Sequence, residues 1–420
     1  MNSKIVIRLI VILLIFFAID WYIFGGIKTL TGDLVGVSRN IVLAVYWIIS
    51  GSIYIFMFYA FLNYDPQTGP GKIISTFMSI AILFFVPKLI YGVFLLAEDV
   101  FRMIFYGLDF STKHLSGSKE SIHLASRRKF LSQIGIGIAA VPFGAILHGL
   151  IRGQYKFTLH RITMQFPDLP DAFDGFKIIQ LSDIHSGGFD SKSGLQKGID
   201  LINDQNADMI LFTGDLVNNL AGEVDPWEDQ FKMIKEVPYG KYSVLGNHDY
   251  GEYIQWPNEE AKNANFEEVK NKNSKIGFRL LLNENIKIEK NGQSIRLLGV
   301  ENWGLPPFPQ YGDIDKALGD ARPEEFKILM SHDPTHWDEK VLTHPQKIHL
   351  TLSGHTHGMQ FGIEIPGFRW SPVKYRYPRW AGKFDSEGQN LYVNRGFGCL
   401  GFPGRVGIWP EVCLITLKKG

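Results

Sequence analysis

The pattern of hydrophobic and polar residues changes near Ile151. Before that point, four apolar stretches are long enough to cross a bilayer as helices, which takes about 20 residues; they cover residues 9–27, 41–62, 73–96 and 131–151. The first and third predictions are weaker, because Asp20 and Lys88 place a charge within the span, where it needs a partner or an aqueous cavity. The alternative is that these stretches are buried core helices of a soluble domain.

Beyond Tyr155 the chain alternates short apolar runs with polar clusters. Residues 156–166 alternate as a half-buried strand does, and five later runs, at 176–181, 209–212, 242–245, 327–330 and 348–352, each end in a polar cluster. Helices are predicted over 193–205, with Asp190-Ser191 as its cap, 227–236 and 266–273. Further strands, at 280–282, 286–290, 294–300, 391–393 and 412–417, are expected to form a second sheet.

These elements predict a helical membrane region over residues 1–151 and a second domain over 152–420. Two β-sheets packed face to face, with helices on their outer surfaces, give a four-layer αββα sandwich of the α+β class. Functional groups in such sheets collect at the carboxyl ends of the strands. The polar clusters are therefore expected to meet at one edge of the sandwich.

The net charge of +1 conceals a basic segment between the third and fourth apolar stretches. Its cations are Arg102, Lys113, Lys119, Arg127, Arg128 and Lys129. Because basic flanks face the cytoplasm, the fourth stretch is expected to lead outward, with the second domain on the external, periplasmic or extracellular face of a multi-pass protein. If the first three stretches also span the membrane, the N-terminus is expected to be external as well. The basic residues Lys4 and Arg8 near that terminus are weak evidence against this.

The start of the fourth stretch has a second interpretation. Residues 126–131, Ser-Arg-Arg-Lys-Phe-Leu, resemble the consensus of twin-arginine export signals. Such signals open a chain, whereas this one follows three candidate spans, so a plain stop-transfer flank is the alternative. Both interpretations place the second domain outside.

The amino-acid composition limits the possible disulfide bridges and the expected classes of binding partner. Only Cys399 and Cys413 occur, so no disulfide framework supports the domain; they form one bridge or lie separately as small buried residues. The second domain carries no Lys- and Arg-rich stripe with interleaved aromatic residues, so nucleic acid is not an expected partner. The oligomeric state stays open.

The polar clusters after the strands contain the ligands of a metal site. They are Asp183-Ile184-His185, Gly214-Asp215, Gly246-Asn247-His248-Asp249, Ser331-His332-Asp333 and Gly354-His355-Thr356-His357. Carboxylates, imidazoles and an amide oxygen suit borderline and hard divalent cations. Two such cations can clamp the attacking and leaving oxygens of a displacement at phosphorus. Each cluster is weak alone, but the ordered set predicts a two-metal hydrolytic centre.

The spacing of the clusters suggests which ligands share an ion. Asp183 and His185, one residue apart, point the same way from an extended strand end and can bind one ion together. Asp215 is expected to bridge the two ions, because its charge screens their mutual repulsion. The remaining ligands are His357 for the first ion, and Asn247, His332 and His355 for the second.

His248 and Asp249 are the predicted catalytic pair. His248 directly follows a ligand and has no assigned metal, so it is expected to protonate the leaving oxygen or stabilise the transition state. Asp249 is expected to orient the imidazole, since a carboxylate partner fixes the tautomer and raises the basicity.

The same residues resemble the motifs of the calcineurin-like metallophosphoesterase superfamily. The match spans residues 176–417, with Asn218 in place of the second Asp of the Gly-Asp-x-x-Asp motif. The resemblance implies an αββα fold, a dinuclear centre holding Mn, Fe, Zn or related ions, and hydrolysis of phosphomonoesters or phosphodiesters. Residues 180–187, 354–360 and 394–412 are closer to the bacterial membrane-anchored or exported phosphodiesterases, some of which act on envelope lipids or nucleotide-linked lipid precursors.

We therefore expect a membrane-anchored dinuclear phosphoesterase, most consistent with a phosphodiesterase, whose substrate is a phosphoester or pyrophosphate of an envelope lipid or a nucleotide-linked precursor. The first alternative is a membrane sensor or scaffold whose hydrolase-like domain binds phosphorylated ligands without turnover. A second alternative is that the catalytic domain lies in the cytoplasm and acts on a nucleotide. The aromatic-rich stretches 303–311 and 362–383 are expected to form the pocket rim or touch lipid, with ordinary loop packing as the alternative.

Overall fold

A computed structural model describes residues 3–69, 71–116 and 125–420. The chain forms two compact units. The first contains Met1–Tyr64 and Lys72–Leu147, and the second contains Asp65–Gly71 and His148–Gly420. The short segment from Asp65 to Gly71 therefore belongs to the same unit as the C-terminal part of the chain, although it lies between two helices of the first unit.

The N-terminal part of the chain consists of four long helices. They are α1 (Ser3–Leu30), α2 (Val37–Leu62), α3 (Lys72–Ser116) and α4 (Ala125–Arg152). All four are long and apolar enough to cross a membrane, and only 17 to 22 % of the residues in each apolar window are buried. Core helices of a soluble domain would bury most of these side chains, so the exposure favours helices surrounded by lipid.

The helices extend beyond the predicted spans. Helix α3 continues to Ser116, so the beginning of the basic segment is helical, while residues 117–124 lie outside the described part of the chain. The twin-arginine-like residues 126–131 lie in the first turns of α4. Within the first unit, Ile23, Tyr91 and Leu95 pack in a buried cluster with Ala139 of α4.

Among the described residues, the second unit contains all fourteen strands and the helices that follow α4. In chain order the strands are β1 (Thr158–Phe166), β2 (Lys177–Leu181), β3 (Met209–Phe212), β4 (Lys241–Ser243), β5 (Arg279–Leu280), β6 (Glu284–Lys290), β7 (Gln293–Gly299), β8 (Lys327–Met330), β9 (Leu350–Ser353), β10 (Ile363–Ile365), β11 (Phe368–Trp370), β12 (Gly382–Ser386), β13 (Gln389–Val393) and β14 (Glu411–Lys419). The helices are α5 (Lys192–Asn203), α6 (Glu228–Phe231), α7 (Glu259–Lys275) and α8 (Ile314–Leu318).

Two six-stranded mixed sheets form the body of this unit, as expected. Their strand orders are β1-β14-β2-β3-β4-β5 and β12-β13-β9-β8-β7-β6, and β10 and β11 form a separate hairpin. The sheets pack face to face through buried residues of both, for example Ile178 and Ile415 from the first sheet with Ile328 and Leu352 from the second. Helices cover the outer faces, with α5 on the first sheet and α8 on the second. The architecture is the αββα sandwich.

Two predicted strands lie in the other sheet. Residues 412–417 lie in β14 of the first sheet, between the edge strand β1 and β2, and Leu280 belongs to β5 at the opposite edge. The strands predicted at 286–290, 294–300 and 391–393 do lie in the second sheet, as β6, β7 and β13. An apolar strand pattern records burial but not the pairing partner, so the sheet assignments of residues 412–417 and Leu280 were wrong.

Side-chain hydrogen bonds to the backbone explain the helix boundaries. The Ser191 hydroxyl accepts from Gly194 N and begins α5, and Asn258 caps α7 in the same way through Ala261 N. The helix predicted over 227–236 ends at Phe231. Beyond it, the Asn203 side chain bonds the backbone of the following turn and so replaces the helical hydrogen bonds there.

Candidate metal centre

The predicted ligands meet at one edge of the sandwich, and both sheets contribute. Asp183 and His185 follow β2, Asp215 follows β3, and the cluster beginning at Asn247 follows β4. The second sheet supplies His332 after β8, and His355 with His357 after β9. The two sheets are joined at this edge by hydrogen bonds from His355 N to the Asp183 carboxylate, at 2.9 and 3.0 Å. Clusters distant in the chain thus become neighbours because the carboxyl ends of their strands coincide.

Four of these residues form a compact first group. The donor atoms of Asp183, His185, Asp215 and His357 all lie within 4.8 Å of one another, and all four side chains are buried. His357 Nε2 lies 3.2 Å from Asp183 Oδ1, His185 Nε2 lies 3.4 Å from Asp215 Oδ2, and the two Nε2 atoms are 2.9 Å apart. Two imidazoles and two carboxylates therefore converge on one point.

A second group lies on the other side of Asp215. His332 Nε2 is 3.1 Å from Asp215 Oδ2, and His355 Nδ1 is 2.8 Å from Asn247 Oδ1. The rings of His332 and His355 are 5.2 Å apart. Because Asp215 Oδ2 contacts an imidazole of each group, its carboxylate occupies the shared position between them.

Asn247 is oriented by a tyrosine. Its Nδ2 donates a hydrogen bond of 2.8 Å to the Tyr253 hydroxyl, while Oδ1 faces His355. An amide has one acceptor and one donor end, so the tyrosine directs the oxygen towards the site. The Tyr253 ring also packs against His248, with centroids 4.5 Å apart.

The backbone of the centre is strained. The residues Asp183, His185, Asp215, His355 and His357 all have positive φ, between 47° and 72°. Side chains other than glycine disfavour this region, at a cost of roughly 1–3 kcal/mol for each residue. Such a conformation persists only where the surrounding structure enforces it, so the fold maintains it to aim these side chains inward.

The donor set fits divalent cations. The Asp183 and Asp215 side chains are fully or almost fully buried, and buried carboxylates require a positive partner. The buried His332 Nε2 makes no hydrogen bond, although it lies 3.1 Å from Asp215 Oδ2. Nitrogen and oxygen donors without sulfur match Mn, Fe or Zn.

The electrostatics of the centre are dominated by its carboxylates. Burial opposes a charge on His332, but Asp215 and Asp183 outweigh it and raise the pKa of that imidazole to about 10. Burial likewise opposes ionisation of Asp215, but the neighbouring His332 and His248 hold the pKa of that carboxyl well below its usual range. Since a metal ligand must give up its proton, cation binding here would release protons.

His248 and Asp249 are not paired as expected. The Asp249 carboxylate accepts backbone hydrogen bonds from Gly246, Asp215 and Leu216 at 2.8 to 2.9 Å. His248 Nδ1 instead lies 2.7 Å from the Asn218 carbonyl. Asp249 therefore holds the turns that carry the ligands, because its side chain lies within a 3-10 turn and folds back onto their N–H groups.

Burial keeps His248 neutral. It lowers the pKa of the imidazole to about 4, although the Asp215 carboxylate opposes this shift. The Asn218 carbonyl can only accept, so Nδ1 carries the hydrogen and Nε2 is left to interact with a ligand.

Sequence comparisons with known proteins match both parts of the chain. Residues 176–359 match the sequence profile of the family described as "Calcineurin-like phosphoesterase", and residues 4–154 match "Probable Calcineurin-like phosphoesterase, transmembrane domain". An uncharacterized metallophosphoesterase of Bacillus subtilis, YkuE, is 31 % identical over 308 residues, which cover 70 % of this chain and 98 % of that protein. The chain belongs to the calcineurin-like phosphoesterase family.

Two further relatives carry names that refer to a transmembrane protein and to a phosphodiesterase. A transmembrane protein with a metallophosphoesterase domain from Danio rerio is 27 % identical, covering 76 % of this chain and 70 % of that protein. Phosphodiesterase YaeI of Escherichia coli is 25 % identical, covering 70 % of this chain and 100 % of that protein. The present protein is accordingly a membrane-associated metallophosphoesterase, an enzyme that hydrolyses phosphoric esters.

The calcineurin-like site contains further residues for which no individual role was predicted from the sequence. The Tyr377 hydroxyl lies 2.8 Å from His355 Nε2, Asp333 Oδ2 lies 3.3 Å from the same atom, and the Phe308 ring packs edge-on against that imidazole. Phe308 and Tyr377 come from the two aromatic-rich stretches expected to form a rim. Their individual roles had no signal in the sequence, because they depend on loops that meet only in the folded chain.

A buried arginine also supports the metallophosphoesterase centre. Arg405 is fully buried and donates to the carbonyls of Gly398 and Arg395. Its Nη2 lies 3.3 Å from His357 Nδ1. Arg405 thus ties the C-terminal loop to the turn that carries His357. Cys399 in that loop and Cys413 are both free and buried, so the alternative of separate buried thiols is the one observed.

Proposed function

We propose that this protein is a multi-pass membrane phosphodiesterase with a dinuclear metal centre on the external face, acting on a phosphoester or pyrophosphate of an envelope lipid or nucleotide-linked precursor. The observation that carries the proposal is the convergence of two ligand groups on Asp215. A site built only to bind phosphate would not need two complete groups around one shared carboxylate.

Each group would hold one divalent cation. Asp183, His185 and His357 would hold the first, and Asn247, His332 and His355 the second, with Asp215 between them. Bound Mn, Fe or Zn would supply Lewis-acid activation of water and of the phosphoryl oxygens. The residues of this chain fix the positions of the donor atoms, through the strained turns and through the hydrogen bonds of Asp249.

His248 would act on the leaving oxygen. Its Nδ1 hydrogen is held by the Asn218 carbonyl, which leaves Nε2 to contact the substrate. An anionic phosphoester beside the ring would favour the imidazolium, so that Nε2 can carry the proton needed by the leaving group. Tyr253 packs against the ring and limits its rotation.

The external orientation is supported by the segment Asp65–Gly71 between α2 and α3. This segment belongs to the catalytic unit, and its Pro66 carbonyl accepts a hydrogen bond of 2.8 Å from Gln255 N. The rest of the catalytic unit follows the end of α4. In a four-span arrangement, the α2–α3 connection and the end of α4 lie on the same side of the membrane. The basic residues between α3 and α4 flank the opposite side, which is the cytoplasmic one by charge.

Turnover by the full chain in detergent tests the hydrolytic part of the proposal. We expect metal-free protein to gain Mn-dependent hydrolysis of bis(p-nitrophenyl) phosphate, faster than of p-nitrophenyl phosphate. Asp215→Ala should abolish it together with metal binding, and Asp385→Ala, an exposed carboxylate of β12, should not. His248→Gln should retain the metal and lose about 100- to 10,000-fold in turnover. Metal-loaded, folded protein without turnover would favour a scaffold.

Accessibility in spheroplasts tests the orientation. External protease should cleave exposed loops of the catalytic unit in intact spheroplasts, and cleavage that requires lysis would place the domain in the cytoplasm. A lipid-linked substrate is tested by comparing hydrolysis of a phosphodiester with an acyl chain and of its water-soluble headgroup analogue. Equal kcat/KM for the two would argue against the lipid-linked class.

A further inference from the structure

The hairpin formed by β10 and β11 exposes its apolar face, whereas a hairpin on a soluble domain normally buries it. In its register, Ile363 pairs with Trp370 and Ile365 pairs with Phe368, so these four side chains share one face. The exposed fractions of Ile363, Ile365 and Phe368 are 49 %, 58 % and 52 %. Apolar residues of a hairpin normally face the core; here they face outward.

The polar face of the hairpin is turned towards the domain. Glu364 and Arg369 form the central pair of the hairpin, on the face opposite Ile365. The Glu364 carboxylate makes two hydrogen bonds, of 2.6 and 3.0 Å, to the buried Arg395 guanidinium. Arg369 lies over the Trp380 ring, 5.2 Å from its centroid. Glu364 is thereby held against the domain by a buried guanidinium, while Arg369 contacts Trp380 but stays exposed. The Glu364 contact holds the apolar face of the hairpin outward.

The base of the hairpin lies beside the end of the last candidate span. Gly362 N donates to the Val406 carbonyl at 2.9 Å, and Val406 N donates to the Gln360 carbonyl at 2.7 Å. The neighbouring Arg405 N donates to the carbonyl of Gly149, in the last turns of α4, at 3.3 Å. The start of the hairpin is therefore linked to the last turns of α4 through hydrogen bonds of the adjacent residues Arg405 and Val406.

The surroundings of this helix end carry residues typical of a membrane interface. Trp409 packs against His148 of α4, with ring centroids 6.0 Å apart, and the Lys156 ammonium lies 4.0 Å from the centre of the Trp409 ring. Tryptophan is enriched at the interface where a helix leaves the bilayer, and a lysine near a helix end can extend its ammonium to that interface.

We propose that the outward face of the β10–β11 hairpin, formed by Ile363, Ile365 and Phe368, contacts the surface of the membrane that α4 enters. The bilayer is the occupant favoured by continuity with α4, since any surface beside that helix end adjoins lipid. The inference rests on the proposed insertion of α4, but not on hydrolysis.

The contact has a consequence for the substrate. The hairpin lies in the chain between His357 of the first ligand group and Tyr377, whose hydroxyl contacts His355. A lipid-facing hairpin in this position brings the rim of the metal centre next to the headgroup region. The centre would then receive phosphoesters that remain anchored in the same leaflet.

Depth-dependent quenching tests the contact without any activity. The full chain carries a thiol-reactive, environment-sensitive fluorophore on Ile365→Cys or Phe368→Cys, and is placed in phosphatidylcholine nanodiscs with or without nitroxide-labelled phosphatidylcholine. Both native cysteines are buried, so the introduced thiol is the accessible one. Met233→Cys, on an equally exposed apolar side chain of the same unit, is the matched water-facing control, and Ile138→Cys in α4 is the lipid-facing control.

We expect the labels at 365 and 368 to be quenched by lipid nitroxides at least about twofold more than the label at 233, as for side chains inserted roughly 5–10 Å into the interface. Quenching at 138 but equal, weak quenching at 365, 368 and 233 would overturn the hairpin contact while leaving span insertion intact. Absence of quenching at 138 would overturn the insertion on which it rests. Labels shielded from iodide but not quenched by lipid, with shielding that weakens on dilution, would overturn the lipid contact and show that a second copy covers the hairpin.

Discussion

The Asp20 carboxylate and the Lys88 ammonium lie 2.6 Å apart, one on α1 and the other on α3. Tyr46 and Tyr54 of α2 both donate hydrogen bonds to the same carboxylate, and Lys88 also donates to Ser50 at 2.9 Å. The two charges that weakened the prediction of the first and third spans are thus partners. Their pairing allows both helices to remain within an apolar environment.

Breaking this pair should destabilise the helical unit more than neutralising both partners. Asp20→Asn or Lys88→Gln alone leaves one buried charge without its partner, at a cost of about 3–5 kcal/mol. The double variant should lie closer to the wild type, because a neutral amide pair can still form hydrogen bonds. The check is the thermal midpoint of each variant in detergent, followed by size-exclusion chromatography. Additive losses in the double variant would contradict this account.

Asp249→Asn should weaken both folding and metal binding. The carboxylate accepts backbone hydrogen bonds from Gly246, Asp215 and Leu216, whereas an amide would turn its NH₂ group towards some of these donors. The unfolding free energy should fall by about 1–3 kcal/mol, the cost of buried donors left unpaired. Urea unfolding and Mn titration of the full chain measure the two effects.

The matched control for that variant is Asp385→Asn, at an exposed position of β12. It makes the same chemical change away from the site and should leave both quantities unchanged. An Asp249→Asn protein with wild-type stability and Mn affinity would show that the turns carrying the ligands do not depend on this carboxylate.

Tyr377→Phe should lower metal affinity without unfolding the protein. Its hydroxyl lies 2.8 Å from His355 Nε2 and helps to hold the ring whose Nδ1 faces Asn247. Partners that orient a ligating histidine are worth about 10- to 100-fold in metal affinity. We expect the lower end of that range, because Asp333 also lies 3.3 Å from the same nitrogen.

Calorimetric titration with Mn compares this variant with Tyr375→Phe. Tyr375 is 78 % exposed, so removing its hydroxyl is the same chemical change away from the imidazole. If both variants bind Mn as the wild type does, the Tyr377 hydroxyl does not position His355.

The strand pattern was sufficient to predict where the candidate ligands meet. Runs such as 209–212 and 327–330 end directly before Asp215 and His332, and parallel neighbours expose their carboxyl ends at a common edge. The αββα layer architecture was predicted from the same strand pattern. The pattern did not predict which sheet contains residues 412–417. An equally apolar strand can be buried in either sheet, and only tertiary packing decides between them.

The residues that position the candidate ligands could not be predicted from the sequence. Tyr253, Tyr377 and Arg405 contact the site through loops with no periodic pattern. Adjacency in the chain was also misleading for His248 and Asp249, since a tight turn sends neighbouring side chains in different directions. Side-chain partners of this kind are set by the folded backbone, so local spacing does not encode them.

The catalytic unit should lose stability in mild acid because of the titration of His349. Burial is the main cause that lowers its pKa to about 4, although Asp168, 3.5 Å away, opposes the shift. The ring stacks on Phe326, and its Nδ1 accepts a hydrogen bond of 3.1 Å from Lys327 N, so the neutral form is the one that fits. In the unfolded chain the imidazole regains a pKa of about 6.5.

The sign of the effect follows from proton uptake. Between about pH 6.5 and pH 4 the unfolded chain binds a proton at His349 that the folded chain does not, so stability falls as the pH falls through this window and then levels off. The full difference corresponds to about 3 kcal/mol, of which about 2 kcal/mol should be lost by pH 5. His349→Asn keeps an acceptor for Lys327 N but cannot titrate. Urea unfolding of the full chain at pH 7 and pH 5 should show a smaller acid loss in this variant, and an equal loss would mean that His349 is already protonated in the folded protein.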